Sequence, residues 1–199
     1  MDAEPSAIGI GIGMGTHSES VKALETFLKK NKAPLVIDAD ALNMISKSKA
    51  RQQLLPKQAV LTPHPKELER LIGAWEDDFD KLSKAKAFAK THDCILVLKG
   101  AHTITIYNER LFVNSTGNPG MATAGMGDVL SGIITSFVAQ GYDPLQAAIF
   151  GVYLHGSAAD IALNSLGYQS MIATDIVEHL GKAFLELFKR NEPQQTQKQ

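Results

Sequence analysis

The chain has 199 residues, of which 44% are hydrophobic and 21% charged, a balance that excludes a disordered segment and allows a large buried core. Twenty Lys and Arg against 21 Asp and Glu leave a net charge of −1, which argues against nucleic acid or an anionic membrane as partner and for small molecules. No apolar run reaches the roughly 18 residues of a membrane-spanning helix, Met1 to Ser6 lack a basic leader, and the single Cys94 cannot close an internal disulfide, so a reducing cytoplasm is expected.

Apolar runs and helical patterns alternate along the chain. Ile8 to Ile12 is short, β-branched and punctuated by glycine, and reads as a strand. It feeds a helix opened by Ser18-Glu19-Ser20 with Val21, Leu24, Phe27 and Leu28 on one face. Leu35-Val36-Ile37 predicts a second strand ending in Asp38, followed by a short helix through Leu42, Met44 and Ile45. Ala59 to Thr62 reads as a third strand, stopped by Pro63 and Pro65, which cannot donate to a ladder. Helices are predicted over Lys66 to Ile72 and Asp77 to Thr91. Ile95 to Leu98 is apolar throughout, as a strand covered on both faces requires. Thr103 to Tyr107 and Leu111 to Asn114 then pair as a hairpin across Asn108-Glu109-Arg110. From Val129 the pattern is helical, with Gly141 as a C′ glycine and Asp143-Pro144 as cap and first position of a helix rich in small residues. A last helix opens at Thr174 or Asp175 and runs to about Arg190. The expectation is one α/β domain over residues 7–190, with a largely parallel sheet and a β-hairpin, and a disordered tail over 191–199.

The segment Thr116 to Asp128 is the richest in chemistry. Glycines at 117, 120, 125 and 127 allow backbone N–H groups to approach a ligand, and the following helix presents its positive dipole end, so the segment reads as an anion cradle. Asp128 at its rim would repel phosphate unless a proton or a metal ion is involved, which suggests chemistry on the transferred group. The alternative is a glycine-rich loop with Asp128 as an ordinary N-cap. Neither a Walker loop nor a G-x-G-x-x-G fingerprint is present. The alternating Gly9, Gly11, Gly13 and Gly15 imply close approach either to another strand or to a ligand. His64, held between Pro63 and Pro65, has a fixed position that a binding site can use. Lys99 to Thr103 follow a buried strand, where ligands of open α/β sheets collect. Asp38 and Asp40 could orient magnesium or cap the next helix, and His155 reads as a packed histidine.

Five segments in order carry a resemblance: Ile10 to Gly15, Val36 to Asn43, Leu61 to Glu67, Lys99 to Thr103 and Gly117 to Gly132. Together they resemble the nucleotide-dependent NAD(P)H-hydrate dehydratases, which have a ribokinase-like fold, a three-layer α/β/α arrangement. The resemblance implies cofactor repair: ADP or ATP phosphorylates the hydroxyl of a hydrated nicotinamide ring, and loss of phosphate restores NADH or NADPH. By position, Asp128 would be catalytic, and Gly13, His64 and Asp128 would contact hydrated NADH or NADPH. Lys99, Gly100, Ala101, His102 and Thr103, with Asn118, Gly125 and Gly127, would hold the adenine nucleotide, accompanied by magnesium with unassigned ligands. Met126 stands where the family usually has threonine, so the backbone cradle is kept and a hydroxyl is lost. The resemblance also implies a homotetramer. Because the Gly-x-Gly-x-Gly stretch begins so near Met1, the chain is expected to lack the family's first strands, exposing a sheet edge that a second chain could cover. Two other readings keep the fold: a kinase of a small vitamin precursor, and an inactive nucleotide-binding remnant.

Overall fold

The computed structural model describes residues 4–189; the expected tail lies outside them, as do Met1 to Ala3 and Arg190. Among the described residues six strands form one sheet in the order β1 (Ile8–Ile10), β2 (Leu35–Ile37), β3 (Val60–Leu61), β4 (Ile95–Leu98), β5 (Ile104–Tyr107) and β6 (Arg110–Val113). The first four are parallel; β5 and β6 are antiparallel additions. Arg110 belongs to β6 and pairs with Tyr107, so the hairpin turn is shorter than expected and consists of Asn108 and Glu109, with Asn108 at φ +53°.

Helices α1 (Ser18–Lys30), α2 (Ala39–Ser46), α3 (Lys49–Gln52), α4 (Pro65–Ile72) and α5 (Asp78–His92) lie between the parallel strands in sequence. Right-handed crossovers that always step in one direction put all of these helices on one face of the sheet. The opposite face is covered by α6 (Met126–Ala139), α7 (Pro144–Ser170, broken at Gly167) and α8 (Ala173–Lys189). The two cores confirm this division. Leu35, Ile37, Leu61, Leu96 and Leu98 pack with α1, α2, α4 and α5, whereas Val36, Val60, Ile95 and Val97 pack with α6 to α8. Strand side chains alternate between faces, and both faces are apolar here, hence the unbroken hydrophobic runs. Each fully buried aliphatic side chain contributes about 1.5–3 kcal/mol.

Local chemistry ends the elements where expected. At the end of α6, Gly141 has φ +92°; its N–H donates to Val138 O at 3.0 Å and that of Tyr142 to Phe137 O at 3.1 Å, a Schellman closure. Asp143 caps α7, accepting from the N–H groups of Leu145 and Gln146, with Pro144 at the first position.

Candidate active site

The carboxyl ends of β1 to β4 and the N-terminus of α6 converge on one region. The glycines after β1 divide into two kinds. A side chain on Gly11 would meet the Asp38 carbonyl oxygen at 1.8 Å, so Gly11 serves the approach of the neighbouring segment, and its own C=O accepts from Asp40 N–H at 3.1 Å. Gly13, at φ +65°, faces open space, as a ligand contact would need. Gly15 N–H donates to Asp40 Oδ2 at 2.8 Å, tying this loop to the start of α2.

His64 caps α4. Its Nδ1 accepts from the N–H groups of Lys66 and Glu67, and the Glu67 carboxylate accepts from His64 N–H at 2.9 Å, closing a reciprocal capping box. Since Nδ1 is an acceptor, the neutral ring carries its proton on Nε2, which lies 3.3 Å from Glu67 Oε1 on a side chain that is 45% exposed. The two prolines therefore frame a cap, with both ring nitrogens facing partners of α4 and the ring half-exposed.

The glycines of the glycine-rich segment have different neighbours. Gly117 would place a Cβ 3.0 Å from Met121 Sδ, Gly120 one 3.2 Å from the Tyr168 carbonyl, and Gly125 one 3.0 Å from Ala173. At these three a side chain would press on the chain itself, and Gly117 and Gly125 also take a positive φ. Only Gly127 faces a charged group: its Cβ would lie 3.2 Å from Lys99 Nζ. The N-cap of α6 is Gly125 at φ +84°, without a side-chain cap bond, so Asp128 is not the cap; it is the third helical residue, exposed in the first turn. The first N–H groups of a 14-residue helix are thus left for an anion, with an ammonium beside them.

Lys99 Nζ donates to Asp38 Oδ1 at 2.8 Å, while its backbone N–H donates to Pro63 O at 3.0 Å, which places it next to the His64 turn. Gly100, Ala101 and His102 are exposed in the turn that leads to β5, and Thr103 Oγ1 donates to Gly100 O at 3.4 Å. Asn118 caps the single turn Pro119–Met121 through Gly120 N–H. Its amide donates to Asp160 Oδ1 at 3.0 Å, and Gly117 N–H donates to Asp160 Oδ2 at 2.9 Å. Asp160 and Ser131 are absent from the sequence expectations because nothing local distinguishes them; Asp160 is the one carboxylate on the small-residue stretch of α7, the only signal available. His155 is buried on α7 as expected, bonded to the Met126 backbone, and burial pushes its pKa down to about 4.

A sequence profile of the NAD(P)H-hydrate dehydratase family matches residues 2–182. The chain belongs to that family. It is 40% identical over 181 residues to the bifunctional NAD(P)H-hydrate repair enzyme Nnr of Moorella thermoacetica, covering 89% of this chain and 34% of that protein. It is 39% identical over 164 residues to the ADP-dependent (S)-NAD(P)H-hydrate dehydratase of Neisseria meningitidis, covering 79% of this chain and 55% of that one. Among solved structures, the ADP/ATP-dependent NAD(P)H-hydrate dehydratase of Bacillus subtilis, co-crystallised with ATP/Mg2+ and soaked with CoA, superposes with a TM-score of 0.80 at 28% identity, covering 94% of this chain and 68% of that chain. The ribokinase-like fold expected of a dehydratase-family chain is the fold observed. The chain spans about a third to a half of the length of these two curated relatives.

Proposed function

We propose that this chain dehydrates hydrated NADH and NADPH at the expense of ADP, or of ATP, with AMP and phosphate as the by-products in the ADP reaction. The observation that carries the reading is the uncapped N-terminus of α6, with Lys99 Nζ packed against Gly127 and Asp128 exposed in the first turn. The N–H groups of Gly127 and its neighbours hold the transferring phosphoryl group, and the helix dipole and Lys99 offset its charge. Asp128 takes the proton of the ring hydroxyl as its oxygen attacks phosphorus and the bond to AMP breaks. The phosphate ester then leaves with the C–O bond, a proton is lost from the adjacent carbon, and the ring double bond returns. By their positions in the family pattern, Gly13 and His64 would contact the hydrated ring, while Lys99, Gly100, Ala101, His102, Thr103 and Asn118 would serve the nucleotide.

Among the described residues no group of three or more His, Cys, Asp or Glu side chains could hold a metal ion. Asp38 is occupied by its own donors. Magnesium fits only as a companion of the nucleotide, held by phosphate oxygens and neutralising their charge, and no protein ligand is assigned.

Among the described residues no helix is long and apolar enough to cross a membrane. We propose the cytoplasm as the site of action. Homo-oligomerisation is proposed from an apolar groove of about 340 Å³ between α6 and α8, lined by Phe137, Val177, Leu180 and Phe184, and is read by sedimentation.

The deciding experiment follows the return of reduced-nicotinamide absorbance from hydrated NADH with magnesium and either nucleotide. Recovery that disappears in Asp128→Asn is the expected result. A folded, nucleotide-binding protein that gives no recovery overturns the reading, and accumulation of a stable phosphorylated product would replace it with a kinase.

A further inference from the structure

Asp38 is a buried charged residue that the proposed chemistry leaves unused. It is 2% exposed, yet its two oxygens accept three hydrogen bonds: Ala39 N–H and Lys99 Nζ on Oδ1, each at 2.8 Å, and Ser131 Oγ on Oδ2 at 2.7 Å. Thr62 Oγ1, at the end of β3, lies 3.3 Å from Ser131 Oγ and completes the buried network. Capping α2 would need only the first of these bonds, and a cap can stay in water. Taking a carboxylate out of water is costly unless it is fully paired, so burial and pairing here need a reason beyond the cap.

The backbone is shaped to the same end. Ala39 takes a left-handed φ of +49°, uncommon for a residue with a Cβ, and this turn sends Asp38 inward while Asp40 meets the Gly15 loop. Gly11 is glycine because the Asp38 carbonyl occupies the space of its side chain. On the other side, the Cβ position of Gly127 lies 3.2 Å from Lys99 Nζ and 3.8 Å from Asp38 Oδ2. The ammonium is therefore held between a buried carboxylate and the first turn of α6. Asp38 occupies one of its three donors, and the Lys99 side chain is 21% exposed.

We propose that Asp38 is a positioning residue for phosphoryl transfer: it fixes Lys99 Nζ beside the first turn of α6 and, through Ser131, fixes that helix to the sheet. The inference rests on the dehydratase reading above. A lysine on a free stem would follow the nucleotide wherever it sat, while a lysine held in place favours the one geometry in which charge shifts onto the leaving oxygen. Asp38 also cancels part of the ammonium's charge, so its removal does not weaken ground-state attraction for phosphate. The signature is a split between turnover and affinity.

The test compares Asp38→Asn, Lys99→Met and the double variant. In Asp38→Asn, kcat is expected to fall about tenfold or more while affinity for AMP stays within about twofold. Affinity for AMP with vanadate, a mimic of the transferring phosphoryl group, falls in step with kcat. In the Lys99→Met background the second substitution adds less than about twofold, because the carboxylate acts through the lysine. Multiplicative effects, or loss of AMP affinity together with thermal stability, would overturn the proposal. If Asp38→Asn fails to fold, Ser131→Ala removes the bond from α6 to Asp38 Oδ2 without removing a charge or a cradle residue; it is expected to lower kcat with AMP affinity within about twofold, and an unchanged kcat would overturn the proposal. A wild-type protein that returns no NADH counts against the dehydratase reading, while the AMP–vanadate split still decides the role of Asp38.

Discussion

Two side chains near the start of α6 have opposite electrostatic surroundings. Asp128 is exposed at the rim of the cradle, and Asp128→Asn keeps the shape while removing the proton acceptor. Turnover of hydrated NADH is expected to fall by about 10²- to 10⁴-fold with ADP affinity retained, measured by steady-state kinetics beside calorimetric titration. His155 is buried and neutral, its pKa pushed down to about 4 by the loss of water, against about 6.5 for a free imidazole. Between these values the unfolded chain binds a proton that the folded chain refuses, so stability is complete above about pH 6.5 and declines as the pH falls towards 4. The decline from this one residue is about 3 kcal/mol, and urea unfolding at several pH values should show it in the wild type and not in His155→Gln. That His155 is packed was legible from its place among alanines and glycines. The Asp38 network was not: Asp38 stands 61 residues from Lys99 and 93 from Ser131, and no local pattern signals a pair made at that distance.

Elements are limited by what can approach them closely. Gly156 in α7 would place a Cβ 2.3 Å from Thr116 Oγ1 and 2.8 Å from Gly117 N, against backbone that cannot step aside. Gly181 in α8 has nothing within 4 Å of the same position. Gly181→Ala is therefore expected to stabilise the protein by about 0.5–1 kcal/mol, as helix propensity alone gives. Gly156→Ala is expected to destabilise it by about 1–3 kcal/mol despite the same propensity gain, and to weaken ADP binding, since the displaced loop carries Asn118. Thermal unfolding of both variants separates the two cases. Most elements were legible from periodicity and punctuation: the Gly141 stop and the Asp143-Pro144 start are local chemistry, and both are observed. The glycines of the cradle segment were legible as a group, and their individual neighbours were not. Only packing partners reveal that Gly117, Gly120 and Gly125 answer to α7, α8 and their own loop, and that Gly127 answers to Lys99.

Across the whole molecule, the alternation of strand side chains between two apolar cores explains why sequence patterning marked β4 as covered on both faces but could not say by which helices. The assignment follows from crossover handedness, a property of the complete topology. Cys94 lies just before β4 in the first core, and burial pushes its thiol up to about 12, so it should react with thiol reagents only when the molecule opens globally. Its labelling rate in mild denaturant is expected to follow global unfolding and to slow when ADP is added. With ADP at a hundredfold over its dissociation constant, the stabilisation is about 2.7 kcal/mol, read as a rise in Tm.

The helical layers of the two cores come from successive stretches of chain, one before β4 and the other opening at Met126, while Val36, Val60, Ile95 and Val97 of the second core belong to the shared sheet. Asp38 and Lys99 come before the hairpin, Gly127 and Ser131 after it, so an anion bound between Lys99 and α6 spans the seam where the halves meet. Such a ligand behaves as a removable staple: it adds nothing to either half alone and resists their separation. Amide exchange across that seam would then record occupancy of the site, making the slowest opening of the molecule a gauge of how much nucleotide surrounds it.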